Sequence, residues 1–349
     1  MEQFRLFTIL ICLSHLNGER SINGLYHLLK GKKSSQTIQD TKLFKLEPFY
    51  HLFPTLKKRE LIDCIEVLQL NECISNIGQD TFILSKKGVL YLKKLQGQFS
   101  IPNYLNGWRF HKEAMEFWQR FSLTVQTLSH LIYDKQSFLP VVRDDNTQHW
   151  VKSFLRNIHD RFTFADELYK ECHSILKKLP KLHAEIFVLH MSGVHRVGFT
   201  IDQISRIFRL DKDYTYVLFQ SVLHFFILTV NKHHDHYPLL SFFIKEEKNE
   251  YNLTVSARKT YELLRQKKSI EEIAEIRKLK TSTIEDHIVE IASEIKEFDI
   301  QPFISIEEQK RINNAIQTLK TKRLKPIRNA LENSVSYFQI RLMLGRMEK

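Results

Sequence analysis

Glycine and proline are scarce in this chain of 349 residues, at 10 and 8. A β-sandwich or barrel needs frequent turn residues, so the shortage argues against an all-β fold and for helices. Cysteine is rarer still. Cys12, Cys64, Cys73 and Cys172 form no C-x-x-C pair and match no zinc spacing. They read as ordinary thiols of a reducing compartment. The apolar run Leu6–Leu13 is too short to cross a bilayer and lacks the basic flank and small-residue cleavage site of a signal peptide. It is expected to be the buried first helix of a cytosolic domain, with no membrane partner.

Catalytic signatures are lacking too. Gly31-Lys32-Lys33-Ser34 is no P-loop, because the earlier glycine and the preceding strand are missing. No G-x-S-x-G, kinase motif or nuclease acid cluster occurs. His233-His234-Asp235-His236 reads as a polar loop, and His190 and His195 have no acid or cysteine at ligand spacing. The expectation is a cytoplasmic protein without turnover, cofactor or metal.

What is present is charge and helical pattern. The formal net charge is +12, unevenly placed. Residues 309–349 hold ten Lys and Arg against two Asp and Glu, and residues 1–100 hold fourteen against nine. Residues 256–300 are nearly balanced, nine against ten. A clustered basic excess suits a polyanion such as DNA; solubility alone is the plainer alternative.

The chain is too long for one helical core. The pattern predicts a mainly α, multi-domain protein with three parts: a winged-helix-like unit over 1–100, a central helical domain over 101–250 and a helix-turn-helix domain over 251–349. In the first part, helices over Phe4–Leu16 and Ile22–Leu29 precede the turn at Gly31. Ser35 and Thr55 are expected to cap the next two helices. A small hairpin turns at Gly78, and Ser85 caps a closing helix. The central part carries Trp108, Trp118 and Trp150, which at helical spacing are expected in the core. The helix Tyr214–Val230 is apolar nearly all round, so it should be buried in a packing or dimerisation module.

The clearest motif lies at 256–298. Ser269 and Glu272 form a capping box. The short helix they open ends at Lys278-Leu279-Lys280. Thr281 is expected to cap the next helix, which turns Ile284, Ile288, Ile291 and Ile295 to one face. That agreement of caps, turn and inward face predicts a helix-turn-helix. Lys278, Lys280, Thr281, Ser282, Thr283 and His287 are the candidate DNA contacts. Beyond its first turn the second helix carries Glu285, Asp286, Glu290 and Glu294, an acidic face that would repel phosphate or dock on a basic protein. Lys320, Lys322, Arg323, Lys325 and Arg328 form a second candidate, and replacing the first four with Gln is expected to weaken DNA binding and leave the fold intact. Lys32, Lys33, Lys86 and Lys87 form a third.

The stretch Ser269–Ile288, followed by Phe303-Ile304, Leu324-Lys325-Pro326-Ile327 and Ser336–Arg341, resembles the helix-turn-helix domain at the C-terminus of some RecQ-type helicases. The resemblance covers about 253–345. The whole chain, including Gly31–Asp40, is similar to the YpbB family of Bacillus and relatives, whose gene neighbourhood implies a RecQ-type helicase partner. The resemblance implies a non-enzymatic DNA-binding accessory protein of DNA repair or recombination. A transcriptional regulator using the winged helix, or a pure interaction adaptor, are the alternatives. Oligomeric state is left open.

Overall fold

The computed structural model describes residues 3–135, 137–244 and 251–346. It is mainly helical, as expected, with one small hairpin. From the N-terminus come α1 (Gln3–Leu16), α2 (Ile22–Lys30), α3 (Ser35–Leu43) and α4 (Lys58–Leu70), then β1 (Ile74–Gly78), β2 (Thr81–Leu84) and α5 (Lys86–Gln96). The middle of the chain forms α6 (Gly107–Ile132), α7 (Asp145–Arg156), α8 (Arg161–Leu176), α9 (Lys181–His190), α10 (Ile201–Phe208), α11 (Lys212–Lys232) and α12 (Pro238–Ser241). The last third forms α13 (Val255–Arg265), α14 (Ile270–Arg277), α15 (Thr281–Glu294), α16 (Ile306–Leu319), α17 (Leu324–Ala330) and α18 (Tyr337–Arg346).

Contacts group the chain into two units. One joins Met1–Thr8 to Lys93–Glu247; the other joins Ile9–Leu92 to Lys248–Lys349. The expected boundary at 250/251 falls at the edge of a stretch, 245–250, outside the described residues.

The first unit is built on aromatic packing along α6, α9 and α11. Phe117 stacks on Phe121, and Phe187 stacks on Phe226 with centroids 5.0 Å apart. The tryptophans join this packing as expected: Trp108 is buried, Trp118 stacks on His190, and Trp150 stacks on Phe154. Helix α11 is long and apolar enough to cross a membrane by composition, yet 72% of that window is buried inside the protein, as in a core helix. Asp211 caps it, accepting from the Tyr214 N–H, and also takes the N–H of Phe4 at 3.1 Å. That bond and the Arg5–Asp213 pair at 2.8 Å tie the start of α1 into this unit.

In the second unit the rest of α1, then α2 to α4, the hairpin and the start of α5 follow one another in winged-helix order. Residue Ser21 makes a single antiparallel bridge to Thr81, at the edge of the two-stranded pair. Two caps differ from expectation. Ser34, not Ser35, caps α3 by accepting from the Thr37 N–H. Helix α4 starts past Thr55, with Glu60 reaching back to the Lys57 N–H at 2.7 Å. Ser85 caps α5 as expected, accepting from the Gly88 N–H.

Helix α15 is the axis of this unit. It packs against α13, α14 and α18, and also against α3, from the other end of the sequence. Residues 287–293 of α15 are all buried. Gly345 lets α18 approach α15: a Cβ there would lie 2.3 Å from the Ser293 hydroxyl. Leu253, Ala257, Ile291 and Ile295 form an apolar cluster with Tyr261 and Phe298 packed on it.

Candidate nucleic-acid interface

The helix-turn-helix forms as its caps require. The Ser269 hydroxyl accepts from the Glu272 N–H at 3.2 Å, and the Glu272 carboxylate accepts from the Ser269 N–H at 2.8 Å. Helix α14 ends on Lys278, which is left-handed at φ 51°. The Leu279 N–H then donates back to the Ala274 carbonyl at 2.9 Å, closing the turn. Ile273, Ile284 and Ile288 are fully buried between the helices. Arg277 locks the pair to α13, donating to the Ser256 carbonyl at 2.8 Å and to its hydroxyl at 3.0 Å.

Thr281 does not cap α15. Lys280 holds the cap position, with no side-chain bond to the helix, and Thr281 is the first helical residue. No side chain caps this turn: the Thr283 N–H donates to the Lys280 carbonyl at 2.9 Å, and the Thr281 and Ser282 N–H groups lie at the positive end of the helix dipole. Lys278, Lys280, Thr281 and Ser282 are all exposed there, and Thr283 is half-buried. Cations, hydroxyls and open N–H groups at one helix start form a phosphate-binding arrangement.

His287 does not join them. It is buried, with Nδ1 2.9 Å from the Thr260 hydroxyl. Burial, then the Arg277 charge, push its pKa down to about 4. It is a neutral core group, because the face of α15 that carries it packs on α13.

Three of the four acids of α15, Asp286, Glu290 and Glu294, are engaged within the chain. Glu290 is buried and accepts from both the N–H and, at 3.0 Å, the hydroxyl of Thr254, anchoring the start of α13. Burial raises its pKa to about 7. Asp286 pairs with Arg341 of α18, which also binds Gln39 of α3 at 2.9 Å. Glu294 pairs with Lys42 of α3 at 2.6 Å. Glu285 is half-buried, and burial followed by the Asp286 charge raises its pKa.

The C-terminal basic segment divides. Lys320 and Lys325 are exposed. Lys322 and Arg323 are half-buried and engaged with the main chain, although the Arg323 side chain stays 42% exposed. The Lys322 ammonium donates to the Leu43 carbonyl at 2.7 Å, and the Arg323 guanidinium donates to the Gly18 carbonyl. Glu19 accepts from the Thr321 hydroxyl and the Lys322 N–H, fixing the backbone between them. Arg328 lies over the Tyr337 ring at 4.7 Å and donates to the Val335 carbonyl. These three side chains each bind a main-chain carbonyl within the second unit.

In the N-terminal part, Lys32 and Lys33 are exposed just beyond Gly31, whose left-handed φ of 72° ends α2. Lys32 and Lys58 both help lower the His27 pKa, after burial, so these cations share one neighbourhood. Lys57 and Lys58 were not among the residues singled out from the sequence, although the run Lys57-Lys58-Arg59 was the signal available. Lys86 and Lys87 are exposed at the start of α5, and Lys87 pairs with Glu72 at 3.0 Å. Among the described residues no group of three or more His, Cys, Asp and Glu is placed to hold a metal ion.

A family model described as a helix-turn-helix domain matches residues 256–344. The chain is 35% identical over 339 residues to "Protein YpbB" of Bacillus subtilis (strain 168), covering 97% of this chain and 96% of that one. No solved structure matches it.

Proposed function

The chain belongs to the YpbB family, and we propose that it is a cytoplasmic, non-enzymatic DNA-binding accessory protein that works with a RecQ-type helicase in DNA repair or recombination. The observation that carries the DNA reading is the start of α15: an uncapped helix N-terminus flanked by exposed Lys278 and Lys280, with the Thr281 and Ser282 hydroxyls beside it. Such a site holds a phosphate through charge, dipole and N–H donors together.

The body of α15 is packed on its neighbours, so base edges can be reached only from its first turn. Binding by backbone contact with little sequence preference follows, which suits an accessory factor better than a regulator. The helicase partnership is supported by the likeness of 253–345 to the C-terminal domain of RecQ-type helicases. With Asp286, Glu290 and Glu294 engaged inside the chain, the acidic side of α15 is a poor surface for a helicase.

The test uses full-length protein. Labelled duplexes of unrelated sequence should bind with similar affinity, weakening steeply with salt. A RecQ-type helicase from the same organism, mixed with the chain after nuclease treatment, should co-elute with it. No DNA binding at low salt would overturn the DNA reading, and separate elution would overturn the partnership.

A further inference from the structure

Within the first unit, α6, α8 and α9 enclose an apolar cleft of about 580 Å³. That volume lies in the range of small-molecule sites, roughly 300–1,000 Å³. Its floor is made by Phe121, Leu128, Leu168 and Phe187, all nearly fully buried, so it reaches the core of the unit. Polar groups gather at its mouth, where Tyr133, Tyr169 and His173 are exposed. His173, Leu176 and Val188 also line a second depression, which adjoins the cleft across these three side chains. That depression adds the exposed cations Lys177 and Lys181, the latter 3.7 Å from Glu185.

We propose that this cleft binds a free long-chain carboxylate, with the acyl chain in the apolar slot and the carboxylate at the Lys177–Lys181 end. A floor of nearly fully buried phenylalanine and leucine side chains suits a thin acyl chain. The cations decide for an anionic head, and the lining, almost free of polar atoms below the rim, decides for an unfunctionalised tail. Cys172 lines the slot, and burial pushes its thiol up to about 12, so it is a neutral apolar wall and not a nucleophile.

The experiment is fluorescence titration of the delipidated full-length chain with cis-parinarate, followed by competition with palmitate and with hexadecanol. Saturable uptake displaced by palmitate is expected, with hexadecanol at least about tenfold weaker. The Ala165→Phe variant, which fills the slot, should lose binding with its thermal transition retained. Should that variant fail to fold, Val188→Trp at the mouth serves the same purpose. The Lys177→Glu/Lys181→Glu variant should bind palmitate about tenfold more weakly and hexadecanol unchanged. No saturable uptake, or uptake undiminished in a folded slot-filled variant, would overturn the site. Equal competition by acid and alcohol would overturn the assigned head, and co-sedimentation with phosphatidylglycerol vesicles in place of palmitate binding would overturn the free acid as ligand.

Discussion

The Lys322 ammonium lies 4.9 Å from the centroid of the Phe44 ring, over which the Arg20 guanidinium also sits at 5.1 Å. Phe44 is buried in the N-terminal part of the chain, and Lys322 belongs to the basic C-terminal segment. The contact joins the two ends of the sequence within one unit and changes what the basic segment is for.

Replacing Lys322 and Arg323 with Gln is therefore expected to destabilise the second unit by about 1–3 kcal/mol, through the lost cation–π contact and carbonyl bonds. Replacing Lys320 and Lys325, which are exposed, should leave stability within about 0.5 kcal/mol of wild type. Urea denaturation of the two double variants at one salt concentration separates them. Equal midpoints would mean that the Lys322 and Arg323 contacts carry no stability.

Arg277 is the second stability prediction. Its guanidinium joins α14 to the Ser256 carbonyl and hydroxyl and to the Thr260 hydroxyl. Arg277→Met keeps most of the packing and removes the donors. A loss of about 1–3 kcal/mol is expected, larger than for removal of any one acceptor, as in Ser256→Ala. Hydrogen exchange should show faster opening of α13 and α14 in the variant. Unchanged exchange there would show that the apolar cluster alone holds these helices.

Two buried groups of this unit titrate in opposite senses. Glu290 faces Thr254 and lies near Glu294, Lys33 and Tyr50; burial raises its pKa from 4.5 to about 7. Between those values the fold keeps a proton that the unfolded chain has released, so stability falls as pH rises through the window. His287 faces Thr260, Arg277 and Asp286, and its pKa falls from 6.5 to about 4. Between those values the unfolded chain holds a proton that the fold excludes, so stability falls as pH drops. The slopes oppose each other where the windows overlap. Glu290→Gln removes one of them, so its stability should rise more steeply than that of wild type from about pH 5 to 6.5. Denaturant melts across that range check it, and parallel profiles would refute it.

The caps at Ser269 and Ser85 were legible in the sequence because a cap is a contact over three residues. The mainly helical fold, the hairpin at Gly78 and the buried α11 were legible because burial periodicity is local too. The acids of α15 were not. Glu290 meets Thr254, Glu294 meets Lys42 and Asp286 meets Arg341, partners too distant in the chain for any pattern to announce. The same holds for Lys322 and Arg323, where a local charge count reads as a surface patch and the fold turns the cations onto main-chain carbonyls.

The most direct test of the account is the salt dependence of DNA binding with and without Lys278 and Lys280. Wild-type affinity should fall linearly with salt on logarithmic axes, and Lys278→Gln/Lys280→Gln should bind more weakly at low salt. If each lysine meets a phosphate, the slope should shrink by about two in the variant, since each lost contact removes close to one released counterion. Because both side chains are exposed, the variant's melting transition should match that of wild type. An unchanged slope and affinity in a folded variant would contradict the account and move the DNA contact away from the start of α15.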